Sequence, residues 1–311
     1  MGITHFDEAP SHEFEIGHLR GRWTLLGEAA GSIGVGVRRI QVPADGWSTP
    51  AHEHGSEEEI FYVLKGRGLT WQKERTAEIG AGDCIVYRAG AGAHSLHAVE
   101  DLDVLAFGPR HRTPGVVFPR LGFSLVGRRA VESAPGAVEG APVQFVREAE
   151  AGPPELPDQP GERPTTIVNV DAVPPRQFGR SRVKSMERDL GRAAGSVATG
   201  INYVEVEPGK DATPLHCHSL EEELFVILDG EGVLMLGDDE TPVRSGHVVS
   251  RPPGTGIAHA FRAGERGLTF LAYGSREPGD LCYYPRSNKV SFRGLGVIAR
   301  VEPLDYWDGE D

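Results

Sequence analysis

Methionine and cysteine are scarce, with three of each in 311 residues. Cys84, Cys217 and Cys282 are too few to frame a disulfide-stapled fold, and such usage suits a reducing compartment. No apolar run approaches the ~20 residues of a membrane-spanning helix, and Met1 to Pro10 lacks the charged start and apolar middle of a signal peptide. A soluble, cytoplasmic protein without a membrane partner is expected. Positive charge is also short: 32 basic residues against 45 acidic give a net charge of −13, which repels a phosphate backbone and argues against nucleic-acid binding. Long helical periodicity is missing too, although Arg182 to Arg192 fits one short helix.

Glycine and proline are plentiful, 41 and 23, and they punctuate short apolar runs, a pattern of many strands. Val37 to Val42, Ile60 to Leu64, Ile201 to Val206, Leu224 to Leu228 and Val233 to Leu236 read as strands. A longer pattern overlies them. His52-Glu53-His54, Glu59 and Gly66 recur as His216-Cys217-His218, Glu223 and Gly230, each offset by 164 residues, and His94 recurs as His259 at 165. Ala29-Ala30-Gly31-Ser32 answers Ala193-Ala194-Gly195-Ser196, and Pro119-Arg120 answers Pro285-Arg286 at 166. So small a drift over so long a stretch implies a full-length internal duplication. The expected domains are residues 1–145 and 166–311, joined over 146–165 by a connector whose Pro153, Pro154, Pro157 and Pro160 favour extended backbone.

The repeated residues are metal-ligand types at metal-ligand spacing. Residues i and i+2 project from one face of a strand, so His52 with His54, and His216 with His218, can share one ion. Cys217, between two such residues, should point away. Glu59 and Glu223 stand an odd step beyond the second His, which requires a chain break at Gly55 to Glu58 and at Ser219 to Glu222. Glu58 and Glu222 are positional rivals, but Glu59 and Glu223 fit the spacing to Gly66 and Gly230. By the same alternation, Phe61, Val63 and Leu96 should line the first pocket, and Phe225, Ile227 and Phe261 the second. His5, His12, His18, His97, His111 and His247 have no such pattern and read as ordinary. The basic run Arg176, Arg180, Arg182, Lys184, Arg188 and Arg192 reads as a solvated or partner-facing edge.

These motifs resemble those of the bicupins, two-domain members of the cupin superfamily. The family's first motif, G-x5-H-x-H-x3or4-E-x6-G, is met by Gly46, His52, His54, Glu59 and Gly66, and again by His216, His218, Glu223 and Gly230, where the leading Gly209 lies one residue further out. The second motif, G-x5-P-x-G-x2-H-x3-N, is met loosely by Gly82, Gly90 and His94, with Arg88 for the proline, and by Gly246, Pro252, Gly254 and His259. Neither half keeps the final Asn. The resemblance implies an all-β chain of two tandem jelly-roll barrels, each with a metal site of three His and one Glu: His52, His54, Glu59 and His94, then His216, His218, Glu223 and His259. Such a set suits one divalent transition metal per barrel, iron or manganese first, with zinc, nickel or copper also compatible. The expected substrate is a small chelating organic molecule. Three function classes follow: a dioxygenase, the leading expectation; a redox-neutral isomerase or decarboxylase, such as an oxalate decarboxylase; and a small-ligand binding or storage protein. The catalytic residues are left open. A monomer or a homodimer is expected, and the tail from Tyr283 to Val290 either closes a barrel edge or swaps onto the other half.

Overall fold

The computed structural model describes residues 2–111, 115–127, 129–132, 137–138 and 143–310. Two β barrels form, in the order of the repeat. In the first, strands Val35–Val42, Glu59–Lys65, Asp83–Tyr87 and Leu102–Pro109 build one antiparallel sheet, and Arg67–Gln72, Arg75–Gly80 and His94–Ala98 face it as a second. The later barrel makes the same turn with longer strands: Glu223–Leu236 and His259–Ser275 each pass from one face to the other without a break. Among the described residues the strand pairs are antiparallel, and two isolated bridges, Leu19 with Trp47 and Val183 with Asp211, are parallel.

The motif glycines explain how the strands bend. Gly66 and Gly230 adopt φ of +89° and +79°, and a Cβ would fall 2.0 Å from the Asp101 carbonyl oxygen and 2.2 Å from that of Gly267. No side chain fits there, so glycine is required.

The apolar runs are continuous rather than alternating because both faces of these strands are buried. Phe61 and Val63 point into their own barrel, among Ile85, Leu96 and Val104. Ile60 and Tyr62 point out, against Leu224, Val226 and Leu271 of the other barrel, and Phe107 meets Tyr273 with ring centroids 5.0 Å apart. One apolar cluster therefore joins the halves back to back. The halves also exchange their first strands: Gly2–His5 pairs with His247–Arg251 of the later barrel, and Ile167–Asn169 pairs with Asp83–Tyr87 of the earlier one.

The repeated Ala-Ala-Gly-Ser segments belong to this junction. Glu58, 2% exposed, accepts hydrogen bonds from Val197 N–H, Thr199 N–H and the Thr199 hydroxyl at 3.0, 3.2 and 2.9 Å. Reciprocally, Glu222 accepts from Ile33 and Gly34 N–H at 2.8 and 2.5 Å. The two positional rivals for the metal are thus ties between barrels.

Several expectations need correcting. Arg182 to Arg192 is mainly strand Val183–Asp189 with only the short helix Leu190–Ala193 at its end, because pairing with Thr199–Val206 overrides local propensity. The basic run, in keeping with a solvated edge, lies on and beside the edge strand Arg176–Arg180, where Arg176 pairs with Glu187, Arg182 with Asp211, Lys184 with Glu207, Arg188 with Glu205 and Arg192 with Asp189. The stretch assigned to the connector begins with a helix, Val143–Ala151, that packs Phe145 on Phe14 and Trp23. Its remainder is bonded along the first barrel, with Gly161 N–H to Thr76 O and Arg163 paired with Asp83. The C-terminal tail stays with its own half, Leu281–Tyr284 pairing with Cys217–His218. No helix among the described residues is long and apolar enough to cross a membrane.

Candidate metal centres

In each barrel the residues singled out by the repeat converge. Glu59 Oε2 lies 2.9 Å from His94 Nε2, 3.4 Å from His54 Nε2 and 3.7 Å from His52 Nε2. In the second barrel Glu223 Oε2 lies 3.0 Å from His259 Nε2 and 3.5 Å from His218 Nε2, and the His216 ring sits 4.6 Å from that of His259. Chain geometry brings the third His in: His52 bridges His94 and His216 bridges His259 across adjacent backbone.

Imidazoles at each centre are aimed by contacts outside it. His52 Nδ1 donates to Pro50 O at 2.9 Å and His216 Nδ1 to Pro214 O at 2.8 Å, which fixes the tautomer and leaves the Nε2 lone pair facing the glutamate. In the first barrel Tyr87 stacks on His94, with centroids 3.8 Å apart and planes 7° apart, and the Tyr87 hydroxyl is anchored to Thr70. In the second, the corresponding position is Arg251, buried, with one N–H donating to Ile257 O at 2.6 Å. His54 Nδ1 lies 2.9 Å from Glu57 Oε2. His218 Nδ1 instead lies 2.6 Å from Asp280 Oδ2, and Asp280 also accepts from Leu220 and Glu221 N–H.

Electrostatics prepares both clusters for a cation. Burial pushes His94 and His216 down to about 4 and also lowers His259, so these rings are neutral near pH 7. Burial works against ionisation of Glu59 and Glu223, but the surrounding imidazoles outweigh it and hold both well below the usual carboxylate range. His54 differs: burial opposes its charge, yet the hydrogen bond to Glu57 and the charges of Glu59 and Glu57 raise it. In the second centre His259 Nε2 and Glu223 Oε2 are buried and otherwise without a hydrogen-bond partner. Neutral nitrogens, an ionised carboxylate and unsatisfied atoms aimed at one point are what a divalent first-row ion requires. The residues present fit that group.

The first centre opens into a cavity of about 490 Å³, lined by His52, His54, Glu57, Glu59 and Phe61, with Trp23, Phe118 and Phe145 among its apolar walls. Of the expected lining, Phe61 is there; Val63 and Leu96 are fully buried in the barrel interior, one layer below the metal residues. In the second barrel Phe225 packs beside His259, while Ile227 and Phe261 lie in the core with Phe270. Alternation identifies a face, not a depth. Cys217 turns away, into a cluster with Leu215 and Met235, whereas Cys282 lies beside His216 and His218, its thiol pushed up to about 12 by burial. His97 packs on Trp47, away from the centre.

Sequence reasoning missed Glu57, Glu221, Asp280 and Arg293. Glu57 and Glu221 did carry a signal, since they too recur at 164, three residues after each second His. Asp280 has no counterpart at that spacing and only the fold brings it to His218. Glu221 pairs with Arg293 and lies 3.6 Å from His218 Nδ1; burial, opposed by Arg293, pushes its carboxyl up to about 7.

A cupin domain family model matches residues 38–107 and 202–272, one in each barrel. Auxin-binding protein T85 of Nicotiana tabacum is 37% identical over 75 residues, 22% of this chain, and the chain spans 36% of that relative's length. Among solved structures, the oxalate decarboxylase of Bacillus subtilis, studied for its Mn(II) centres, is 16% identical with a TM-score of 0.57, covering 90% of this chain and 78% of its own. The formate complex of Lactobacillus farciminis oxalate decarboxylase is likewise 16% identical at a TM-score of 0.57, covering 89% and 86%. At such identity these likenesses establish the tandem-barrel fold.

Proposed function

We propose that this chain, which belongs to the cupin superfamily as a bicupin, is a metal-dependent enzyme whose first barrel acts on a small chelating organic acid without net oxidation, by decarboxylation or isomerisation. The observation that carries this reading is the cavity of about 490 Å³ that ends on His52, His54 and Glu59 and also exposes the carboxylate of Glu57. His52, His54, Glu59 and His94 would hold the ion, and His216, His218, Glu223 and His259 a second. A bound divalent ion supplies Lewis-acid polarisation of a substrate oxygen. Manganese, named for the Bacillus subtilis enzyme of similar fold, is the first ion to test, followed by iron.

The chain's own residues supply the rest. Trp23, Phe61, Phe118 and Phe145 exclude water from the reacting end of the cavity. Glu57 faces the same space, with Oε2 2.9 Å from His54 Nδ1, so a proton taken from substrate has an acceptor in the Glu57 carboxylate. The apolar walls also favour a second reading, the dioxygenase, since a dry pocket suits an aromatic or catechol-like substrate and oxygen.

Untagged protein, assayed for metal and then for product formation with oxalate and a panel of hydroxy and keto acids, tests the reading under an oxygen electrode. Turnover without oxygen uptake, reduced ~100-fold by Glu57→Gln, is expected. Uptake stoichiometric with product would move the assignment to the dioxygenase, and tight binding of a panel member without turnover would make it a binding protein.

A further inference from the structure

The two centres share their inner residues but not the groups at their mouths. Arg38, on strand Val35–Val42, lines the first cavity. Its guanidinium carbon stands 5.6 Å from the centroid of the Trp23 ring, and Trp23 in turn packs against Phe14 and Phe145 with ring centroids 5.1 and 5.5 Å away. Every other charged group near it is engaged. Arg39, next on the strand, forks onto Asp103 on the opposite face, with Nε and Nη2 both donating. Arg110, the second guanidinium in the cavity, donates to Ser32 O and faces Glu28 at 3.8 Å. Glu57 is taken by His54, and Glu59 by the three imidazoles. Among the described residues Arg38 has no hydrogen-bond or ion-pair partner in the protein. At the 164-residue offset it answers Asn202, so the second barrel has no cation there.

A guanidinium laid over an aromatic ring is held in orientation while its N–H edge stays free, and that edge matches a carboxylate with two parallel hydrogen bonds. We propose that Arg38 is the specificity-determining residue of the first cavity, binding a carboxylate of a small organic anion whose other end reaches His52, His54 and Glu59. This deepens, and rests on, the reading of the first barrel as the reactive one. It also makes the barrels unequal at this position: the first offers a guanidinium where the second has the amide of Asn202.

Titration of the purified full chain with oxalate, malonate and succinate, and with the matching neutral diamides, tests the assignment by calorimetry and by tryptophan fluorescence. Wild type, Arg38→Gln, Arg38→Lys and the surface control Arg180→Gln are compared, with metal content measured on each. The expected result is about tenfold weaker diacid binding in Arg38→Gln, partial recovery in Arg38→Lys, no change in Arg180→Gln, and diamide binding the same throughout. Diacids that bind Arg38→Gln as they bind wild type, or that do not bind wild type at all, overturn it. The two readings fail separately. A metal-free protein that still loses diacid affinity in Arg38→Gln sinks the metal enzyme and upholds Arg38, whereas a metal-loaded protein indifferent to Arg38→Gln does the reverse.

Discussion

The first centre rests the outer nitrogen of its second His on a carboxylate three residues along, Glu57; the second rests it on one 62 residues away, Asp280. By the 166-residue offset at this end of the repeat, Asp280 answers Pro114, which offers no carboxylate. Duplication has therefore preserved the residues that must converge on a point and let their supports diverge, since any buried acceptor satisfies an imidazole N–H. The divergence has consequences. With Asp280 on His218, Glu221 is released to Arg293, which comes from the C-terminal tail beside the second centre. The first centre keeps an open cavity with a free guanidinium at its mouth.

The sharpest way to break this comparison is to empty one side. His52→Ala with His54→Ala removes two of four ligand residues, and mass-spectrometric metal analysis should lose the ion of the first barrel and keep that of the second; unchanged content would refute the assignment. The ties between barrels are unequal as well. Glu58 receives three donors from the 197–199 segment, whereas Glu222 receives two backbone N–H groups. Glu58→Ala should cost roughly 3 kcal/mol or more in denaturant unfolding, at ~1–3 kcal/mol per orphaned buried group, and Glu222→Ala less.

Smaller effects separate the supports. Asp280→Asn should weaken metal at the second centre ~10–100-fold and leave the first alone, with Glu57→Gln doing the opposite; competition with a chelator reads both. Acid gives the mildest contrast. His54 of the first centre is raised above its ordinary 6.5, while burial lowers its neighbour His94 and, in the second centre, His216 and His259. A raised imidazole stabilises the metal-free fold fully below its unfolded pKa and loses that stability as pH rises through its folded value, so protons compete best at the first centre. Dialysis down a pH series should release metal from the first barrel at a higher pH than from the second.

Much of this architecture was legible because the repeat constrains it. The ligand types, their spacing and the strand runs Ile60 to Leu64 and Leu224 to Leu228 are local patterns, and local patterns can be read along a chain. Depth and partnership cannot. Val63 and Leu96 share a face with Glu59 yet sit a layer below it, since period two fixes direction and not distance from the mouth. Glu58 and Glu222 looked like alternative ligands because their role lies in the other barrel. Asp280 is invisible for the same reason: its link to His218 closes a loop that only folding forms. Helix Val143–Ala151 escaped notice because a glycine- and proline-rich flank masks the apolar face that Phe145 buries.

Anomalous diffraction at the metal edge from crystals of untagged protein tests the central claim most directly. The account predicts one peak in each barrel, within ~2.0–2.2 Å of three imidazole nitrogens and a carboxylate oxygen, at His52, His54, Glu59 and His94 and at His216, His218, Glu223 and His259. Peaks elsewhere on the molecule, or none at these two clusters, would contradict it.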